Sequence, residues 1–176
     1  MDFMELCKTR QACRDFDDRP VEHEKLVKCI EAARLCPSGC NSQPWRFIVV
    51  EKPELVAEVA KCSMQLGINE YFAKARAFVV VLEEHAVLMP KIRPLFDSQI
   101  FARQDAGGAI VTICLAAAEQ GLGSCVIGLF DREKLCQLLD LPADQRFASM
   151  IALGYPSSDK IREKTRKPME EIARFV

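Results

Sequence analysis

Five apolar residues stand in a row at Phe78-Val79-Val80-Val81-Leu82. Such an unbroken run, rich in β-branched residues, reads as a buried strand, and it is far shorter than the roughly 20 residues a membrane span needs. Phe47-Ile48-Val49-Val50 reads the same way, Ser124 to Ile127 forms a short strand, and 147–153 forms another that ends in Gly-Tyr-Pro. Helical patterns separate these runs. Residues 2–10 carry Asp2 as an N-cap, and 22–35 place Leu26, Ile30 and Ala33 in one stripe with Glu22 and Glu24 at the N-terminal end. Pro53 opens a helix that runs to Leu66, 98–120 is the longest, with Ile110, Ile113, Cys114 and Ala117 along it, and 131–139 is the last. Strands interspersed with helices predict a mixed α/β layer fold, and 176 residues fit one domain, 1–176.

Composition removes several functional classes. A net charge of −1 leaves no basic surplus for nucleic acid. The opening MDFMELCKTR lacks an apolar signal core, which predicts a cytoplasmic chain. The nine cysteines are odd in number and include no C-x-x-C, and Cys29, Cys114 and Cys136 sit among aliphatic residues. They read as reduced, small hydrophobic side chains. Cys36 and Cys40 are spaced C-x-x-x-C with no third cysteine nearby, which does not make a metal site. His23 and His85 have no G-x-S-x-G partner, so a hydrolase triad finds no support. Gly121-Leu122-Gly123 closes a helix and precedes a strand, the reverse of a dinucleotide loop, and reads as a C-cap.

Two features remain. Residues 85–96 hold His85, Pro90 and Pro94 without a period and read as a mobile or ligand-covering segment. Two basic pairs, Arg10 with Arg14 and Lys164 with Arg166, are either solvated cations or a phosphate clamp, and spacing leaves both readings open.

Four segments together resemble the FMN-dependent nitroreductase family over nearly the whole chain. Arg10-Gln-Ala-Cys-Arg14-Asp-Phe16 is similar to that family's R-x-S-x-R/K-x-F stretch. Glu31 through Phe47, containing Pro37-Ser-Gly-Cys-Asn41-Ser-Gln-Pro-Trp45, resembles its E-A-A-x-x-A-P-S-x-x-N-x-Q-P-W-x-F loop. Asp105 through Gly128 resembles its central helix, G-L-G-S cap and W-I-G turn, and Gly154-Tyr-Pro156 with Lys164-Thr-Arg166 resembles its C-terminal end.

The resemblance implies a mixed, mostly antiparallel sheet flanked by helices, in a homodimer with FMN at the interface. It implies that Arg10, Arg14, Lys164 and Arg166 hold the FMN phosphate and the pyrimidine edge, with Gln11 and Ala12 lining the same stretch. Pro37, Ser38, Gly39 and Asn41 would reach the flavin from the partner subunit, and Ile127 and Gly128 would lie beside its ring. The implied activity is ping-pong: NAD(P)H reduces FMN, then a nitroaromatic, quinone or similar electrophile takes the hydride, with no dedicated catalytic acid or base and no metal. A specialised relative (flavin cleavage, dehalogenation or enone reduction) and a redox module without turnover are the alternatives. Two departures stand out: Ala12 replaces the family's small hydroxyl residue, and Val126 replaces its tryptophan.

Overall fold

A computed structural model describes residues 2–64 and 67–176. In chain order the elements are α1 Phe3–Thr9, α2 His23–Arg34, β1 Trp45–Val50, α3 Pro53–Ser63, β2 Ala77–Glu83, α4 Ser98–Glu119, β3 Gly123–Ile127, α5 Arg132–Leu138, β4 Phe147–Gly154 and α6 Met169–Ile172. Single 3-10 turns occupy Gly39–Asn41 and Glu70–Lys74.

The four strands form one sheet in the order β1-β2-β4-β3, and every pair of neighbours is antiparallel. β2 pairs Val49 with Val79 on one side and Val79 with Ile151 on the other. A bulge at Val81/Leu82 shifts the β2–β4 register. A parallel contact, the isolated bridge between Ala12 and Ser124, lays the stretch after α1 along the outer edge of β3.

Alternation along β2 explains its unbroken apolar run. Phe78, Val80 and Leu82 pack with Met150 and Ala152 against α3 and α5. Ala77, Val79 and Val81 pack with Ile151 and Leu153 against α2 and α4. Successive side chains point to opposite faces, so a strand covered by helices on both sides must be apolar at every position. The fold is an α/β/α sandwich, and Leu26, Cys29 and Ala33 form the buried stripe of α2.

Helix ends follow local chemistry. Asp2 caps α1 by accepting the Glu5 N–H at 3.0 Å. Gly121, at φ +77°, turns α4 out through the left-handed region, and the Leu122 N–H returns to Ala117 O at 2.8 Å. α3 ends at Ser63, short of the predicted Leu66, which lies outside the described residues. Trp45, half-buried at the start of edge strand β1, packs against the core on the α2 and α4 side and stacks on Phe47 at 6.5 Å.

α4 is unusual. Its inner face, Ala106, Ala109, Ile113 and Ala117, is buried, yet its outer face carries apolar Ile100 and Val111, 53% and 56% exposed, beside polar Arg103 and Gln104. It is long and apolar enough to cross a membrane by length and composition, but it packs against α2 and the sheet within the sandwich.

Candidate cofactor site

The site begins with two irregular segments held side by side. Residues 10–16 leave α1 in extended form, pinned by the Ala12–Ser124 and Phe16–Pro156 bridges and by the Cys13 N–H to Ser124 O at 2.8 Å. The tail from Pro156 to Arg166 runs beside them without helix. Gln11 staples the two. Its Nε2 donates to Lys160 O at 2.8 Å, and its Oε1 accepts from Arg162 N at 3.1 Å and Nε at 3.2 Å. Arg162 also donates to Ala12 O at 2.5 Å, and Lys164 Nζ donates to Arg10 O.

These contacts enclose a cleft of about 380 Å³, lined by Arg10, Gln11, Ala12 and residues 162–166. It gathers four cations, Arg10, Arg162, Lys164 and Arg166, and among the described residues none of them forms a salt bridge. Burial, and then the Arg10, Arg166 and Arg162 charges beside it, hold the Lys164 ammonium below its ordinary value. Glu163 also lines the cleft but pairs with none of these cations, and like charges held together without a paired counterion are costly, a cost that a multiply charged anion offsets. A phosphate with nearly two negative charges and three acceptor oxygens matches this donor set.

The structure brings Arg10, Gln11, Ala12, Lys164 and Arg166 together and adds Arg162, which the sequence reading missed. The signal was present: in an extended chain residues i, i+2 and i+4 share a side, and 162, 164 and 166 are all basic. Arg14 lies apart. It lines an adjoining groove that shares Gln11, Ala12 and Arg162 with the cleft, and its guanidinium stands 6.0 Å from the Tyr71 ring centroid. Ala12 contributes backbone only, through its carbonyl and its bridge to β3.

The second predicted set sits elsewhere in the chain. Pro37, Ser38, Gly39 and Asn41 belong to a tight loop in which Cys40, Asn41 and Gln43 all take positive φ, at 54°, 51° and 49°. Left-handed backbone at non-glycine residues is strained and persists only where contacts over-determine it. Here the Gly39 N–H donates to Asp105 Oδ2 of α4 at 3.0 Å, and the Gln43 N–H donates to Ser38 Oγ at 2.9 Å. Gln43 Nε2 reaches Asn41 O at 3.1 Å. Among the described residues no hydrogen bond joins this loop to the cation cleft. Ile127 is 3% exposed and its side chain is part of the core, so only its backbone can face a ligand, while Gly128 after it is exposed. Residues 85–96 leave β2 as an extended segment and turn through Pro90–Phe96 into α4.

The cysteines behave as predicted for small hydrophobes. Six are buried, all nine are free, and burial pushes the Cys29 and Cys62 thiols up to about 11. Cys36 turns its thiol to Thr112 Oγ1 at 3.0 Å, whereas Cys40 is exposed.

A four-stranded antiparallel sheet between helix layers, with a cation cleft on its outer edge, defines an α+β protein. Residues 7–155 match the Nitroreductase family, so this chain belongs to the nitroreductase family. An oxygen-insensitive NADPH nitroreductase of Helicobacter acinonychis is 30% identical over 200 residues, covering 93% of this chain and 91% of that protein. An FMN reductase [NAD(P)H] of Bacillus subtilis is 28% identical over 174 residues, covering 92% and 68%. The crystal structure of a nitroreductase family protein from Streptococcus pneumoniae superposes with a TM-score of 0.84 at 26% identity, covering 99% of this chain and 100% of that one.

Proposed function

We propose that the chain, as one unit over 1–176, is a cytoplasmic FMN-dependent oxidoreductase. In this reading it passes a hydride from NAD(P)H to a nitroaromatic, quinone or similar electrophile. The observation that carries the reading is the cleft of four cations, none in a salt bridge and outnumbering its one carboxylate, Glu163, lying on the segments that resemble the family's phosphate-binding ends. Nitroreductase-type relatives that use NADPH or FMN support the same assignment.

Arg10, Arg162, Lys164 and Arg166 would take the FMN phosphate, with Gln11 and Ala12 fixing their backbone. Arg14, in the adjoining groove, would approach the pyrimidine edge, where a cation stabilises the negative charge of the reduced ring. FMN, when bound, supplies the hydride chemistry, which explains why no acid–base pair is needed. Gly128 would present backbone to the ring.

Pro37, Ser38, Gly39 and Asn41 would come from a second copy of the chain. α4 leaves Ile100 and Val111 exposed on its outer face beside polar Arg103 and Gln104, and these uncovered apolar side chains support a homodimer across it. The strained loop is tied to α4 through Asp105, so the same face would carry the loop to the partner's cofactor.

Titration of flavin-free protein with FMN tests the reading. Saturable binding that weakens in Arg162→Ala and Lys164→Ala is expected. Protein that takes up no FMN, or takes it up equally well without these cations, would refute it.

A further inference from the structure

Between the exit of β2 and the start of α4 the chain closes around a second cavity, of about 500 Å³, whose lining includes His85, Val87, Leu88, Arg93, Phe96 and Asp97. Its walls are fixed from several sides. The Glu84 N–H donates to Pro44 O at 3.1 Å and the Val87 N–H to Ser42 Oγ at 2.5 Å. The wall is therefore tied to the loop assigned above to the flavin. From α4, buried Gln99 sets its Nε2 against His85 Nδ1 at 2.8 Å, and one turn later Arg103 meets buried Glu83 at 3.3 Å. Phe96 meets Phe101 edge to face at 5.8 Å, and Phe101 packs under Gly39, where a Cβ would stand 3.3 Å from its ring.

The chemistry of this cavity is selective. Arg93 has no ion partner among the described residues. Asp97, the acidic group in the lining, accepts the Gln99 N–H at 2.9 Å, so its charge is balanced by the α4 N-terminus that it caps. With Nδ1 engaged by an amide donor, His85 offers Nε2–H as a donor. Behind the lining, Gln99 is 7% exposed and its Oε1 has no partner among the described residues, so its Nε2 contact to His85 is the one that bears on the cavity. Val87, Leu88 and Phe96 supply the apolar and aromatic surface. A cation, an N–H donor and an aromatic wall suit a flat apolar molecule with one anionic substituent.

We propose that this cavity is the acceptor-recognition subsite and that it selects aromatic acceptors bearing a carboxylate or sulfonate. Arg93 and His85 take the anion and Phe96 takes the ring. The assignment rests on the flavin reading above and names the acceptor class for it.

Calorimetry with the purified protein tests it, using 4-nitrobenzoate and its neutral analogue 4-nitrobenzamide. The carboxylate is expected to bind about tenfold more tightly. Arg93→Gln is expected to abolish that preference by lowering the affinity for the carboxylate to about that for the amide, and the ratio of kcat/KM for the two acceptors is expected to follow. Equal affinity in the wild-type protein, or a preference that survives both Arg93→Gln and His85→Phe, would overturn the proposal. A preference for NADPH over NADH that is lost in Arg93→Gln, with no preference among acceptors, would assign the cation to the donor's extra phosphate and would also overturn it. Because calorimetry needs no turnover, the two failures separate. Protein that takes up no FMN fails the flavin reading whatever its carboxylate preference, whereas a working flavoprotein blind to the acceptor's charge fails the subsite alone.

Discussion

At the scale of single residues, Lys164 and Arg162 concentrate the argument. Lys164 is held among three guanidinium groups with its ammonium below its ordinary value of 10.5, first by burial and then by those charges. The sign follows directly. A lowered folded-state value means that the unfolded chain binds this proton more readily, so folding strain from Lys164 is present at neutral pH and is relieved as pH rises through the folded value. An anion in the cleft relieves the same strain at neutral pH by favouring the charged form. Inorganic phosphate and FMN are therefore expected to raise the melting temperature near pH 7. FMN affinity is expected to fall as pH is raised toward the lysine range, which fluorescence titration across pH would show. Lys164→Ala and Arg162→Ala are each expected to weaken FMN binding by about ten- to a hundredfold, the size of a lost charge-assisted contact. Arg162 was legible only in hindsight of the extended tail: its period-two spacing with 164 and 166 has meaning once the segment is known to lack helix. The strain at Cys40, Asn41 and Gln43 was not legible at all, because the tie from Gly39 to Asp105 spans sixty-six positions of sequence.

At the scale of elements, the run Phe78–Leu82 predicted β2 well, because the two-sided burial of a strand leaves a direct mark in composition. Helix positions were equally legible, and their ends were correct to a few residues where a cap was visible, as at Asp2 and Gly121. Two elements left no mark: the turn Glu70–Lys74, and α6, a single exposed turn of four residues too short to show a period. The stretch 10–16 depends on close approach to β3. A Cβ placed on Gly123 would stand 2.7 Å from both Cβ and Sγ of Cys13, so the two segments can lie in register only because position 123 has no side chain. Gly123→Ala is expected to cost about 1–3 kcal/mol, as overpacked sites do. It should also loosen the cation cleft, because Cys13 directly follows Ala12. Thermal denaturation checks the first effect. FMN affinity, measured well below the variant's melting temperature, checks the second.

For the whole molecule, the sandwich satisfies its inner faces and leaves Ile100 and Val111 uncovered on the outer face of α4. The homodimer proposed across it joins the two sets of predicted site residues that a single chain keeps apart. Val111→Lys, placed in the middle of that face, is expected to yield monomers by light scattering. These should fold with unchanged far-UV circular dichroism and hold FMN far more weakly. Dimers that persist and retain the cofactor would move the interface elsewhere. The sequence implied this arrangement only through its resemblance to a family; from the residues alone, α4 reads as a core helix, and the exposure of Ile100 and Val111 becomes visible once α2 and the sheet are seen to cover its other side.

The central claim is that this chain carries flavin-mediated hydride transfer, and an anaerobic titration of the FMN-loaded protein tests it most directly. The account predicts an absorbance band near about 450 nm that NAD(P)H bleaches. Addition of a nitroaromatic or quinone should then restore it, with both half-reactions proceeding in the absence of the other substrate. A bound flavin that NAD(P)H leaves oxidised, or that no acceptor reoxidises, would contradict the account.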